Sequence, residues 1–210
     1  MLSEYEMNQI MNRFPNVELS YEKIIHKKVF AHQYLLIPQG PKFFAWFTYY
    51  NNKNVCILLE IGKEKNSIGK IFIATTCFHS DLSFGTILYG TRFKYESNYF
   101  FSTEDILYYK SQNLSDKNFR QKQDILKDLF MNNLKQIAYK DSHLIFGLPI
   151  MKNTYREIMD ETHTIPYRIY CIQYRDFSQQ RILFNQRFNQ CNIKANFLIK
   201  PDIQNDIYQL

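Results

Sequence analysis

Apolar positions in this chain start at helical spacing and then switch to the short runs and alternations of strands. Leu2, Met7, Ile10, Met11 and Phe14 recur about one helical turn apart after Ser3, and Pro15 stops the pattern, so the spacing predicts a helix over residues 2–14. Residues 17–21 alternate, and 29–37 form a candidate strand. The apolar run from Phe43 to Tyr50, the polar stretch Asn51-Asn52-Lys53-Asn54 and the run from Val55 to Ile61 predict a hairpin with a four-residue loop. A polar segment over 62–69 leads to a strand at 71–76. Two more strands are expected at 86–91 and 99–109, separated by a charged turn around Lys94 to Asn98.

The strongest helical pattern follows. Ser115 or Asp116 is placed to cap it, Phe119, Leu126, Phe130, Leu134 and Ile137 make its apolar stripe, and Lys117, Arg120, Lys122, Lys127 and Lys135 are expected to face solvent. Further strands are expected at 142–147 and 193–199, a short helix at 152–161, and a hairpin from 167–175 with 181–185. The order predicts an α+β protein of mostly antiparallel sheets with flanking helices. Neither an internal repeat nor an interdomain linker interrupts it, so a single domain over 1–210 is expected, with the N-terminal helix within 1–16 and a C-terminal tail at 203–210.

Composition changes this picture only in part. The 210 residues include 16 Tyr and 18 Phe but only 6 Gly and 1 Trp, with 26 Lys and Arg against 20 Asp and Glu for a net charge of +6. That length and hydrophobicity suffice for an independent core and exclude intrinsic disorder. The bias toward Phe, Tyr, Ile, Lys and Asn matches translation of an AT-rich genome, so aromatic abundance alone is weak evidence for base stacking. No run approaches about 18 apolar residues and the N-terminus is acidic, which leads to the expectation of a soluble, cytoplasmic protein with no membrane partner. Cys56, Cys77, Cys171 and Cys191 are scattered, so four reduced thiols are expected rather than disulfides or a zinc site. The chain contains no phosphate-binding Gly-rich loop, no G-x-G-x-x-G, no H-E-x-x-H and no G-x-S-x-G.

Five short phrases, in order, carry a resemblance. Tyr34 to Phe47 includes Ile37-Pro38-Gln39-Gly40-Pro41-Lys42 before an apolar strand. Thr86-Ile87-Leu88-Tyr89-Gly90-Thr91 is followed by the run from Phe101 to Tyr109. Tyr170-Cys171-Ile172-Gln173-Tyr174 follows Ile165-Pro166-Tyr167, and Leu198-Ile199-Lys200-Pro201 closes the series. This order resembles the covalent nucleotidyltransferase superfamily, which contains mRNA-capping guanylyltransferases, ATP-dependent ligases and the non-catalytic snurportin. Gly40 matches the glycine of the first motif, K-x-D-G-x-R, and Lys42 its trailing basic residue. Ile37 stands where the nucleophilic lysine belongs, Tyr89 and Thr91 replace the carboxylates of the third motif, and the Asp of the fourth motif is missing. With about ten residues after the fifth motif, an OB-fold domain like that of the capping enzymes and ligases is not expected.

A lysyl-nucleotide intermediate needs a lysine that can attack and carboxylates to hold a divalent metal. The resemblance therefore implies a catalytically inactive domain with no catalytic residues and no cofactor or metal. Its implied partner is capped RNA, a nucleotide or single-stranded nucleic acid. Trp46 and Phe197 would stack on bases, and Lys42 and Lys200 would contact phosphates. The run Lys23, His26, Lys27 and Lys28 would add to a basic patch. A large AT-rich DNA virus is the source this combination suggests, with a viral factory or virion as the site of action. The competing expectation is a structural or assembly protein, a virion component or transcription-complex subunit, that docks a protein partner through the tail from Asp202 to Leu210.

Overall fold

The computed structural model describes residues 2–17, 30–62 and 67–188, together with the backbone of residues 200–201 and 208–209. In chain order the elements are α1 (Glu4–Arg13), β1 (Gln33–Pro38), β2 (Lys42–Tyr50), β3 (Lys53–Ile61), β4 (Ile68–Ala74), β5 (Cys77–Phe78), a 3₁₀ turn (Ser80–Ser83), β6 (Phe84–Tyr95), β7 (Asn98–Tyr109) and β8 (Gln112–Asn113). There follow α2 (Phe119–Asn132), β9 (Leu134–Lys135), β10 (Leu144–Gly147), β11 (Ile150–Lys152), α3 (Tyr155–Glu161), β12 (Ile169–Arg175), β13 (Phe184–Arg187), β14 (Lys200–Pro201) and β15 (Tyr208–Gln209).

The fold is α+β. One sheet runs β10-β7-β6-β2-β3-β4, with β8 added beside β7, and a second runs β11-β1-β12-β13. Every pairing in both is antiparallel except β10 on β7, which is parallel.

The larger sheet is buried on both faces, which is why β2 reads as the continuous run Phe43-Phe44-Ala45-Trp46-Phe47 rather than an alternation. Phe43, Ala45 and Phe47 join Leu58, Leu88 and Phe101 beneath Leu126 and Leu129 of α2. Phe44, Trp46 and Tyr50 face the other way and pack with Ile57, Leu59 and Ile87 under Ile10 and Phe14 at α1. The second sheet covers its outer face with α3, where Ile158 meets Leu36 and Ile172. Its other face places Leu35, Ile37 and Cys171 against Phe119 at the start of α2.

Local chemistry sets the boundaries. Ser3 and Glu6 form the reciprocal capping box of α1. The β2–β3 loop is tighter than the predicted four residues: Asn51 and Asn52 both adopt positive φ, 47° and 58°, which makes a two-residue turn whose twist suits a hairpin. The predicted caps of α2, Ser115 and Asp116, are replaced by Asn118, which forms a capping box with Gln121. The segment before it is already committed, since Asn113 Oδ1 accepts from the Ser115 amide and Leu114 bonds back to Leu107. Two amides at the helix start, Phe119 and Arg120, donate to the carbonyls of Gln179 and Phe177, tying α2 to the loop after β12.

The apolar stripe also ends early. Leu134 enters β9, paired with Phe78, and Ile137 is exposed. Residues 18–29 and the expected strand at 193–199 lie outside the described residues, as does most of the 203–210 tail.

Replacing Asn118 with Ala removes the acceptor for the Gln121 amide and should lower stability by about 1 kcal/mol. Urea unfolding of Asn118→Ala checks this, and an unchanged midpoint would refute the cap's contribution.

Candidate functional site

Five charged side chains meet where the two sheets and α2 converge. Lys42 at the start of β2 donates to both oxygens of Glu104, at 2.6 and 2.7 Å, and to Thr91 Oγ1 at 2.7 Å. Thr91 in turn donates to Glu104 Oε1 at 2.5 Å. Glu104 is 2% exposed and sits at the irregularity in the β6–β7 register between Tyr89 and Gly90, an extra residue that aims its side chain at the lysine.

Next to it, Asp105 takes the ammonium of Lys122 at 3.1 Å and lies 3.8 Å from Nη2 of Arg175. Lys122 was expected to face solvent. It lies three residues after Phe119, on the buried side of the helix, and stays there because Asp105 compensates its charge.

Arg175, the end of β12, is buried, with its guanidinium 4.1 Å from the ring centre of Phe119. Its contact to Asp105 is too long for a hydrogen bond, and Nε and Nη2 have no hydrogen-bond partner among the described residues. Burial lowers the pKa of Arg175, opposed by the neighbouring Asp105 and Glu104.

This array decides what the nominated residues do. Lys42 and Trp46 lie four residues apart on β2 and do not share an opening. All three donors of the Lys42 ammonium are engaged. Trp46 is 5% exposed, with its ring 5.5 Å from Phe14 and an Arg13 guanidinium over it at 5.7 Å. Phe197 lies outside the described residues, as do Lys23, His26, Lys27 and Lys28. For Lys200 only the backbone is described, paired with Gln209. Ile37, at the position of the nucleophile in the resembling family, is fully buried.

A groove of about 410 Å³ lies at the rim where the β6–β7 hairpin meets the entry to β12. Phe93, Tyr95 and Tyr167 supply rings, Lys94 and Arg168 supply cations, and Gln39 and Glu96 complete its polar lining. The rings of Phe93 and Tyr167 stand 4.8 Å apart, and the Gln39 amide donates to the Arg168 carbonyl at 2.8 Å, locking one wall to the other. Gly40 lets the β1–β2 turn lie on β6, because a Cβ there would meet the Arg92 carbonyl at 2.2 Å. Burial pushes the Tyr167 phenol above its usual pKa.

These residues escaped sequence reasoning, although the signal was present. Phe93-Lys94-Tyr95 and Tyr167-Arg168 put aromatic and cationic side chains next to each other in segments adjoining the motif-like phrases.

Among the described residues no group of three or more His, Cys, Asp or Glu is placed to hold a metal ion. Cys56 and Cys77 are free thiols, and burial drives the Cys56 pKa far up. No helix among the described residues is long and apolar enough to cross a membrane. Compared with protein-family models and with curated proteins, the sequence matches none of them.

Removing one member of a buried ion pair leaves an uncompensated charge, which costs about 3–5 kcal/mol when both partners are fully buried. Glu104→Gln should fall near the lower end of that range, because Lys42 is a quarter exposed and regains water. Asp105→Asn should cost more, since it strands Lys122 and Arg175 together. The double variant Lys42→Met/Glu104→Leu should recover most of the loss. Urea unfolding of the four proteins checks this, and a double variant no more stable than Glu104→Gln would overturn the pairing.

Proposed function

We propose that this chain is a catalytically inactive nucleotidyltransferase-like domain that binds single-stranded or capped RNA in the groove between Gln39, Phe93 and Arg168. The observation that carries the reading is the combination, in one groove, of three aromatic side chains and two cations beside the Gly40 turn. Ring faces accept bases of any sequence at about 1–3 kcal/mol each, and cations hold the phosphates. This is the chemistry expected of Trp46 and Lys42, moved from β2 to the rim because the interior of the junction is filled by ion pairs.

The same facts disfavour covalent transfer. Ile37 has no nucleophilic atom, and an ammonium that donates to Glu104 and Thr91 offers no lone pair to an α-phosphate.

Fluorescence anisotropy with a labelled ten-nucleotide RNA, capped and uncapped, tests the reading at low salt. Lys94→Ala and Arg168→Ala should each weaken binding and lower the slope of log K against log salt by about 1. Phe93→Ala should weaken binding with the slope unchanged. Incubation with α-labelled GTP or ATP and Mg²⁺ should leave the protein unlabelled. Absence of saturable RNA binding at low salt would sink the proposal, and a labelled protein would restore the enzyme.

A further inference from the structure

At the opposite end of β6 lies a larger groove, of about 530 Å³, whose lining includes Arg13, Trp46, Tyr49, Ser83, Phe84 and Tyr108. Phe84 is 67% exposed and Tyr49 55%. An exposed ring on a loose loop would carry no argument, but Phe84 is held on both sides. Its amide donates to the Asp81 carbonyl, closing the 3₁₀ turn, and its carbonyl accepts from the Ser111 hydroxyl. Gly85 follows at φ +92°, a conformation that side chains other than glycine's rarely adopt, and turns the start of β6 so that the phenyl ring stands out from the sheet. The backbone thus keeps a large apolar side chain in water, in a fixed place, where burial would have been favourable.

The polar lining of the groove is Arg13 with the hydroxyls of Thr48, Tyr49, Ser83, Tyr108 and Ser111. Among the described residues Arg13 is its only charged lining residue. Among the described residues it donates from Nη2 alone, to Thr48 Oγ1 at 3.4 Å and the Tyr49 carbonyl at 3.1 Å, while its guanidinium lies over Trp46. Ser83 is 9% exposed, and its Oγ has no hydrogen-bond partner among the described residues. Such an orphan hydroxyl is costly to leave unmatched, and it lines the groove. The nearby Lys110 and Asp81 face each other at 3.4 Å and cancel. What remains is one positive charge, one unmatched hydroxyl and a set of rings.

We propose that this groove docks an extended segment of a partner protein carrying an acidic residue beside an aromatic or large aliphatic one. The carboxylate takes Arg13 and Ser83, and the apolar side chain seats between Phe84 and Tyr49. Nucleic acid is the poorer match, because each bound phosphate calls for its own cation and the described residues of this lining supply one. The site is separate from the RNA groove: Phe84 and Tyr95 bound a twelve-residue strand, so the two surfaces lie about 35 Å apart and do not depend on each other.

A displayed random heptapeptide library, selected on the full chain and counter-selected on Arg13→Gln/Phe84→Ser, tests the assignment. Both substituted side chains are exposed, so the double variant should unfold at nearly the wild-type temperature. The expected result is enrichment of peptides with Asp or Glu within two positions of a large apolar residue. Trp46 is the chain's only tryptophan, and its emission should report their saturable binding. Arg13→Gln and Phe84→Ser should each weaken an enriched peptide by about tenfold or more, as expected for loss of a charged hydrogen bond or an anchoring ring. Ser83→Ala should weaken it less, and Lys94→Ala/Arg168→Ala should leave it unchanged.

Three results would overturn the inference: no enrichment over the double variant, enrichment without acidic residues, or equal sensitivity of oligo(dT) binding to Arg13→Gln and Phe84→Ser. The last would reassign the groove to nucleic acid.

Discussion

The association of the two sheets turns on buried charge. Lys42, Glu104, Asp105, Lys122 and Arg175 come from β2, β7, α2 and β12, and each has given up much or all of its water. Desolvating an ion costs several kcal/mol, and a partner at hydrogen-bond distance offsets this only when the geometry is good. The array therefore tolerates few arrangements of its parent elements. If β12 moved away from β7, Arg175 would lose Asp105. If α2 rotated, Lys122 would lose it. Hydrophobic packing alone is less selective, since apolar faces accept many sliding positions.

The array also accounts for where function can reside. A junction between two sheets is an obvious place for a ligand, but here it is filled by opposite charges, with Lys42 on Glu104 and Lys122 on Asp105 and Arg175 buried beside them. Among the described residues, two grooves lie at the two ends of β6. One end gathers rings and cations around the Gly40 turn, and the other sets Phe84 and Tyr49 around a single arginine. Both grooves lie where β6 passes into a turn, where backbone irregularities hold side chains clear of the core. Neither uses the middle of β2, whose aromatic run is committed to packing on both faces.

Much of the fold was legible in the chain. The helix at α1, the β2–β3 hairpin, β7, the core of β6 at 86–91 and the α2 stripe as far as Phe130 all follow from periodicity, which acts over a few residues. The errors came where a distant segment intervened. Ser115 and Asp116 are good caps in isolation, but Asn113 and Leu114 had already bound that stretch to β7, so the helix starts at Phe119 behind Asn118. The parallel pairing of β10 with β7 joins segments some 45 residues apart and left no local signal. The candidate site was less legible than the fold. Trp46 and Lys42 were chosen for their chemistry, while Phe93, Tyr167 and Arg168 were passed over because nothing in the linear order says that two turns some 70 residues apart face each other.

The sequence by itself determined the α+β class, most of its elements, and the absence of a lysine at position 37, because these depend on residue identity and short-range spacing. Only the tertiary structure decided that Lys122 is buried, that Lys42 is spent on Glu104, that Trp46 lies under a helix, and that a groove lies at each end of β6. Charge and aromaticity are properties of a residue, but whether they face solvent, a ligand or each other depends on which distant strand lies opposite. That choice is made by the packing of whole sheets.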